Sequence, residues 1–219
     1  MIKNSLRTAA FVLAVAALPS LASAKLPDNS AHVRGLQVNP AGAVSAAAFP
    51  KWTGAIGRNW AISSQACTAK MGRDCKIGRW QNFLKKIKGI APSRQIRQVN
   101  AFVNATRYRD DRQVWGKGDY WAAPGEFFAR GGDCEDYAIA KYLSLKSLGF
   151  DPNAMRILVL KDRVRGLHAV LLVEHGGETL VLDNLSHSIK TWNEVPNYSP
   201  LYSVNEAKFW LHPGLKKVG

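Results

Sequence analysis

The hydrophobic period of this chain changes once, at Gly149, and that change limits the folds open to it. Before it, residues 79–88 carry Trp80, Phe83, Leu84 and Ile87 at helical spacing, with Gly89 to end the helix. Residues 94–106 repeat the pattern with Ile96, Val99, Phe102 and Val103. A third helix is predicted over 134–148, with Ile139, Tyr142, Leu143, Leu145 and Leu148 inward and Gly149 at its C′ position. After Gly149 the runs shorten and become β-branched or leucine-rich, at 156–161, 167–174 and 179–183. Gly176-Gly177 separates the last two and predicts a hairpin, and a further strand starts near Ser188. Helices first and strands second predict an α+β domain. Residues 25–60, rich in Pro, Gly, Ala and Asn, are expected to wrap irregularly over the surface. Residues 107–125 read as aromatic, polar and turn-rich.

Residues 1–24 read as a secretory signal. Lys3 and Arg7 precede an apolar stretch, Pro19 breaks it, and Ala22-Ser23-Ala24 fits the small-residue cleavage pattern. The apolar stretch is shorter than the roughly 20 residues a membrane-spanning helix needs, and no later segment is apolar enough to cross. The organisation predicted is a signal at 1–24 and one domain over 25–219. The chain carries 30 Lys+Arg against 16 Asp+Glu, a net charge of +14. Much of that excess lies in 70–97, where nine basic residues meet one acid, Asp74. Such a segment suits anionic envelope polymers or acidic proteins, and equally a solvated basic face. Nucleic acid is a poor partner for an exported chain. There is no phosphate-binding glycine loop and no dinucleotide fingerprint.

Three cysteines are present. In an oxidising compartment Cys67 and Cys75 are placed to form a disulfide, whose short loop would contribute about 2 kcal/mol. Cys134 remains unpaired, behind Gly131-Gly132 at a predicted helix N-terminus. The helix dipole favours a thiolate there, and the thiolate is the nucleophile. Such a nucleophile needs a base, and the base needs an orienting group. Of the five histidines, His168 alone enters a predicted core strand. Pairing about Gly176-Gly177 puts Asp183 two residues off register from His168, within reach on the neighbouring strand.

Two segments carry a family resemblance. Gly118-Asp119-Tyr120-Trp121-Ala122-Ala123-Pro124-Gly125-Glu126 and Gly132-Asp133-Cys134-Glu135-Asp136-Tyr137-Ala138-Ile139-Ala140-Lys141-Tyr142 resemble the bacterial transglutaminase-like cysteine peptidases. The similarity runs from about Phe49 to Trp210. It implies a papain-like, transglutaminase-type core, with Cys134 as nucleophile, His168 as general base and acid, and Asp183 as the orienting carboxylate. It also implies Ca²⁺ held by Asp133, Glu135 and Asp136. Hard oxygen ligands suit that ion, although Asp133 and Asp136 also read as a helix cap and its partner. By the same resemblance the substrate is the N-terminal region of a large surface adhesin, cut at an Ala-Ala-type site in the periplasm to control biofilm attachment. A membrane-bound cyclic-di-GMP receptor that sequesters the enzyme is the implied partner. Two rivals remain at this level. The same triad could transfer an acyl group to an amine or deamidate glutamine, or the chain could be a non-catalytic envelope-binding module using 70–97.

Overall fold

The computed structural model describes residues 43–63 and 76–212. The expected signal and the Cys67–Cys75 pair lie outside the described residues. The helices are α1 (Pro50–Ser63), α2 (Lys76–Ile87), α3 (Pro92–Asn104), α4 (Asp111–Trp115), α5 (Pro124–Arg130) and α6 (Cys134–Ser147). The strands are β1 (Ala43–Ser45), β2 (Met155–Asp162), β3 (Gly166–His175), β4 (Glu178–Leu182), β5 (Lys190–Thr191), β6 (Tyr198–Val204) and β7 (Lys208–Leu211). They form one antiparallel sheet in the order β1-β7-β6-β2-β3-β4-β5.

α6 is the central helix. It is buried almost all round from Asp136 to Leu145, packing on β3 and β2 and against α3 and α5. A helix walled in this way needs apolar or small residues on every side, as Ala138, Ile139, Ala140, Tyr142 and Leu143 provide. It stops where expected. Gly149 takes φ +98°, its N–H reaches Lys146 O at 3.0 Å, and Phe150 N–H reaches Leu145 O at 3.1 Å. The main core joins α6 to one sheet face through Ile157, Val159, Ala169, Leu171, Val173 and Leu182. A smaller cluster of Leu158, Leu160, Val170, Leu172 and Val181 packs on the other face with Val195.

The α+β arrangement and the predicted helices and hairpin stand. Both hairpin glycines take positive φ, +63° and +81°, and β3 pairs with β4 from His175↔Glu178 to Leu171↔Leu182. The expectation for 25–60 is overturned over its described part. Residues 43–45 are a strand and Pro50 starts a helix. α1 forms in spite of Gly54 and Gly57 because Trp52 and Ala55 are buried, Trp52 meeting Tyr142 edge-on at 5.1 Å. Packing there outweighs local propensity. α5, within and just beyond the stretch read as turns, is held in the same way by buried Phe127 and Phe128.

Candidate active site

The short turn from α5 to α6 sets the site. Gly131 has φ +83°, and a side chain there would meet the Arg107 carbonyl oxygen at 2.5 Å. At Gly132 a Cβ would lie 2.1 Å from Asp136 Oδ2. The two glycines therefore let the backbone pass close to α3's following loop on one side and to the Asp136 carboxylate on the other. Arg109 N–H ties this turn down through Gly132 O at 2.9 Å.

Asp136 is fully buried and clamps the entrance to α6. It accepts from Ala122 N–H at 2.6 Å and from Asp133 N–H at 3.3 Å. The Ala122 segment is itself fixed by Glu126, which accepts from Ala123 N–H at 2.8 Å, Tyr120 OH at 2.9 Å and Arg58 Nε at 3.1 Å. Cys134 thus starts α6 in a turn braced from α1, α5 and the intervening loop. Its thiol donates to Glu135 Oε2 at 3.2 Å, and the Ala169 backbone amide also points at the sulfur. Ala169 directly follows His168 in β3, so the thiol lies against the strand that carries the histidine.

His168 and Asp183 are brought together as the register requires, with His168 Nε2 3.0 Å from Asp183 Oδ1. Both are buried. Leu185 N–H adds a bond to Oδ1 at 2.9 Å, and the Tyr198 hydroxyl donates to Oδ2. Asn104, at the end of α3, holds the Asp183 and Ser186 carbonyls at 2.9 and 3.1 Å. Burial alone would raise the Asp183 pKa, but the His168, Tyr198 and Leu185 bonds overcome it and bring the carboxyl down to about 2. It is an anion at neutral pH. His168 thereby keeps Nδ1 for other work, because Nε2 is engaged by the carboxylate.

Burial, then the Glu135 and Asp133 carboxylates, push the Cys134 thiol well above its ordinary value, against the pull of the helix N-terminus. The acids are a larger group than the sequence suggested. Asp111, Asp133 and Asp136 each offer an oxygen, all within 4.8 Å of one another, and Asp111, Asp119 and Glu135 do the same. Asp111 Oδ1 and Asp133 Oδ1 are buried without a hydrogen-bond partner. Burial, then Glu135 and Asp136, raises Asp133 to about 10, and Asp136 and Asp111 are also raised, chiefly by burial. Packed carboxylates with orphaned buried oxygens fit a hard divalent cation. Lys51 pairs with Asp119 at the exposed rim. Asp111 and Asp119 went unread because they sit in the turn-rich 107–125 stretch; their spacing around Gly116 and Gly118 was the available signal. Tyr198 and Asn104 had no local signal at all.

The comparisons with known proteins agree with this geometry. A family model of the bacterial transglutaminase-like cysteine proteinases matches residues 63–214. Among solved structures, Legionella pneumophila LapG superposes with a TM-score of 0.58 at 29% identity, covering 74% of this chain and 90% of that one. Its calcium-bound form gives 0.57 at 31% identity, with the same coverage. Its EGTA-treated form gives 0.58 at 28%, covering 75% and 92%. No curated protein matches. A helix-borne thiol against the histidine strand, and a family match over most of the chain, lead to one assignment: this chain belongs to the bacterial transglutaminase-like cysteine proteinases and is a cysteine peptidase.

Proposed function

We propose that the protein is a calcium-dependent cysteine endopeptidase of the periplasm. It would cut the N-terminal region of a large surface adhesin at an Ala-Ala-type site and so control biofilm attachment. The observation that carries the catalytic part is the placement of Cys134 against Ala169, one residue from a His168 already oriented by Asp183. The family resemblance supports the adhesin and a sequestering cyclic-di-GMP receptor, and the signal-like residues 1–24 support export.

In this reading His168 Nδ1 takes the Cys134 proton and the sulfur attacks a peptide carbonyl. The amine leaves with the proton from His168, giving a thioester, and water hydrolyses it with the same imidazole as base. Asp183 holds the imidazole by Nε2 and stabilises its charged form, while Tyr198 holds Asp183. The first amides of α6 have no intrahelical acceptor, and that of Cys134 is suited to the developing oxyanion. Asp111, Asp119, Asp133, Glu135 and Asp136 would hold Ca²⁺, whose charge would offset the carboxylates that raise the thiol. The existence of calcium-bound and EGTA-treated forms of the Legionella protein supports that ion.

The test is cleavage of a purified N-terminal adhesin fragment in Ca²⁺. Cys134→Ala should lower the rate by at least about 10³-fold while keeping the wild-type melting temperature. Residual cleavage by that variant, or an untouched fragment with the wild type, would remove the proposal. Capture of a labelled primary amine in place of hydrolysis would reassign it to acyl transfer.

A further inference from the structure

Next to the Gly131 turn that leads into α6, the fold has a groove that the catalytic reading leaves unused. It has a volume of about 540 Å³ and lies between α2, the end of α3 and α5. Lys76, Arg79, Arg107, Arg109 and Arg130 line it. None of the five has a carboxylate within ion-pair distance among the described residues. Lys76 Nζ and Arg109 Nη1 instead reach backbone carbonyls, Ala129 O at 3.1 Å and Arg130 O at 3.4 Å. Its apolar wall is Phe102 and Phe128, whose rings meet edge-on at 5.6 Å. Arg130 lays its guanidinium over the Trp115 ring at 4.8 Å; the positive charges gathered around one aromatic-walled groove repel one another, and an anionic occupant relieves that repulsion.

The groove is continuous with the catalytic turn. Gly131 lines it, and Cys134 is three residues on, so the two Cα atoms lie within about 11 Å by chain connectivity alone. The partition between groove and thiol is the segment Arg107-Tyr108-Arg109. It is fixed to the turn by the Tyr108↔Gly132 bridge and by Arg109 N–H to Gly132 O. In an extended segment successive side chains point to opposite sides. The two arginines line the groove, and Tyr108, 51% exposed, lies within the electrostatic reach of Cys134 and Asp133. A chain crossing Tyr108 therefore passes from the sulfur to the arginines. An extended peptide advances about 3.3 Å per residue.

We propose that this groove is a substrate exosite that binds an acidic segment of the polypeptide, about three to six residues from the bond cut at Cys134. The inference rests on the peptidase reading, and it adds what that reading lacks: a preference in the sequence flanking the scissile bond. We assign the anion as a peptide carboxylate, because the polymer that reacts at Cys134 is the occupant brought nearest to this groove, and acidic side chains on it would complement the basic lining.

The experiment compares two peptides with one cleavable core, flanked on either side by Asp-Glu pairs or by Asn-Gln pairs. Cleavage of the neutral peptide by wild type and its loss in Cys134→Ala secures the peptidase reading by itself. Against that baseline, wild type should prefer the acidic peptide by about tenfold in kcat/KM at low salt, and the preference should fade at 0.5 M NaCl. Arg79→Glu combined with Arg107→Glu should bring the ratio to about one or below. Fluorescence anisotropy on Cys134→Ala should show salt-sensitive binding of the acidic peptide, weakened by the same reversals. Equal kcat/KM for the two peptides overturns the proposal while leaving the peptidase standing. Acidic-peptide binding without any kinetic preference also overturns it, since the groove would then serve a separate protein partner. The salt dependence of unaltered protein decides the matter even where the double variant fails to fold.

Discussion

A single methyl group is enough to test the catalytic turn. At Gly132 it would sit 2.1 Å from Asp136 Oδ2, and Asp136 has nowhere to go. The carboxylate is fully buried, with backbone amides of Ala122 and Asp133 on its oxygens. Gly132→Ala should therefore cost about 2 kcal/mol or more by urea unfolding. Activity should fall further than stability, by about 10²-fold in kcat/KM, because the turn that aims Cys134 must shift. Wild-type activity in a folded variant would show that Asp136 is not the brace described. His168 and Asp183 were legible in the sequence because hairpin register follows from a two-glycine turn and a count of residues. Tyr198 was not: its bond to Asp183 comes from a strand that reaches the site only through β2, and nothing local announces it.

On α6 the informative position is Lys141, seven residues and about two turns beyond Cys134. It is fully buried, and its amine has no hydrogen-bond partner. Burial lowers its pKa to about 7, with the Asp183 charge opposing that fall. Between pH 7 and about 10 the unfolded chain keeps a proton there that the folded chain gives up. Stability therefore rises with pH over that window. Lys141→Met should stabilise the protein by on the order of 3 kcal/mol at pH 6, with the gain shrinking toward pH 10. Denaturant titrations of both proteins at several pH values check this, and a gain independent of pH would contradict it. α2 and α3 could be read directly from their periodicity, and α6 from its length and its Gly149 stop. β1, β6 and β7 could not. β6 even carries Pro200, which argues against a central strand until one sees that the β2–β6 register shifts beside it, between Val159 and Leu160. α1 was hidden by its two glycines for the corresponding reason, that tertiary packing supplied what local propensity withheld.

Across the whole molecule, a chain of net charge +14 gathers five carboxylates into two overlapping groups that share Asp111. They come from α4, the loop after it and the start of α6, so a cation there would cross-brace segments separate in sequence. Ca²⁺ at about 100 times its dissociation constant should add about 2.7 kcal/mol and raise the melting temperature by roughly 5–10 °C. EGTA should reverse the shift and Asp111→Asn should blunt it. An equal response to Mg²⁺, or none to Ca²⁺, would remove the cation from this site. One feature at the far side of the sheet has a different reach. β1, from the start of the described region, pairs with β7, near its end, as Ala43↔Trp210 to Ser45↔Lys208. Among the described residues, those three are the cover on an otherwise bare row of β7 hydrogen-bonding groups. Proteolytic trimming past Ser45 would uncover that row and give another copy a strand to add to, so loss of a few residues remote from the thiol would be read out as self-association.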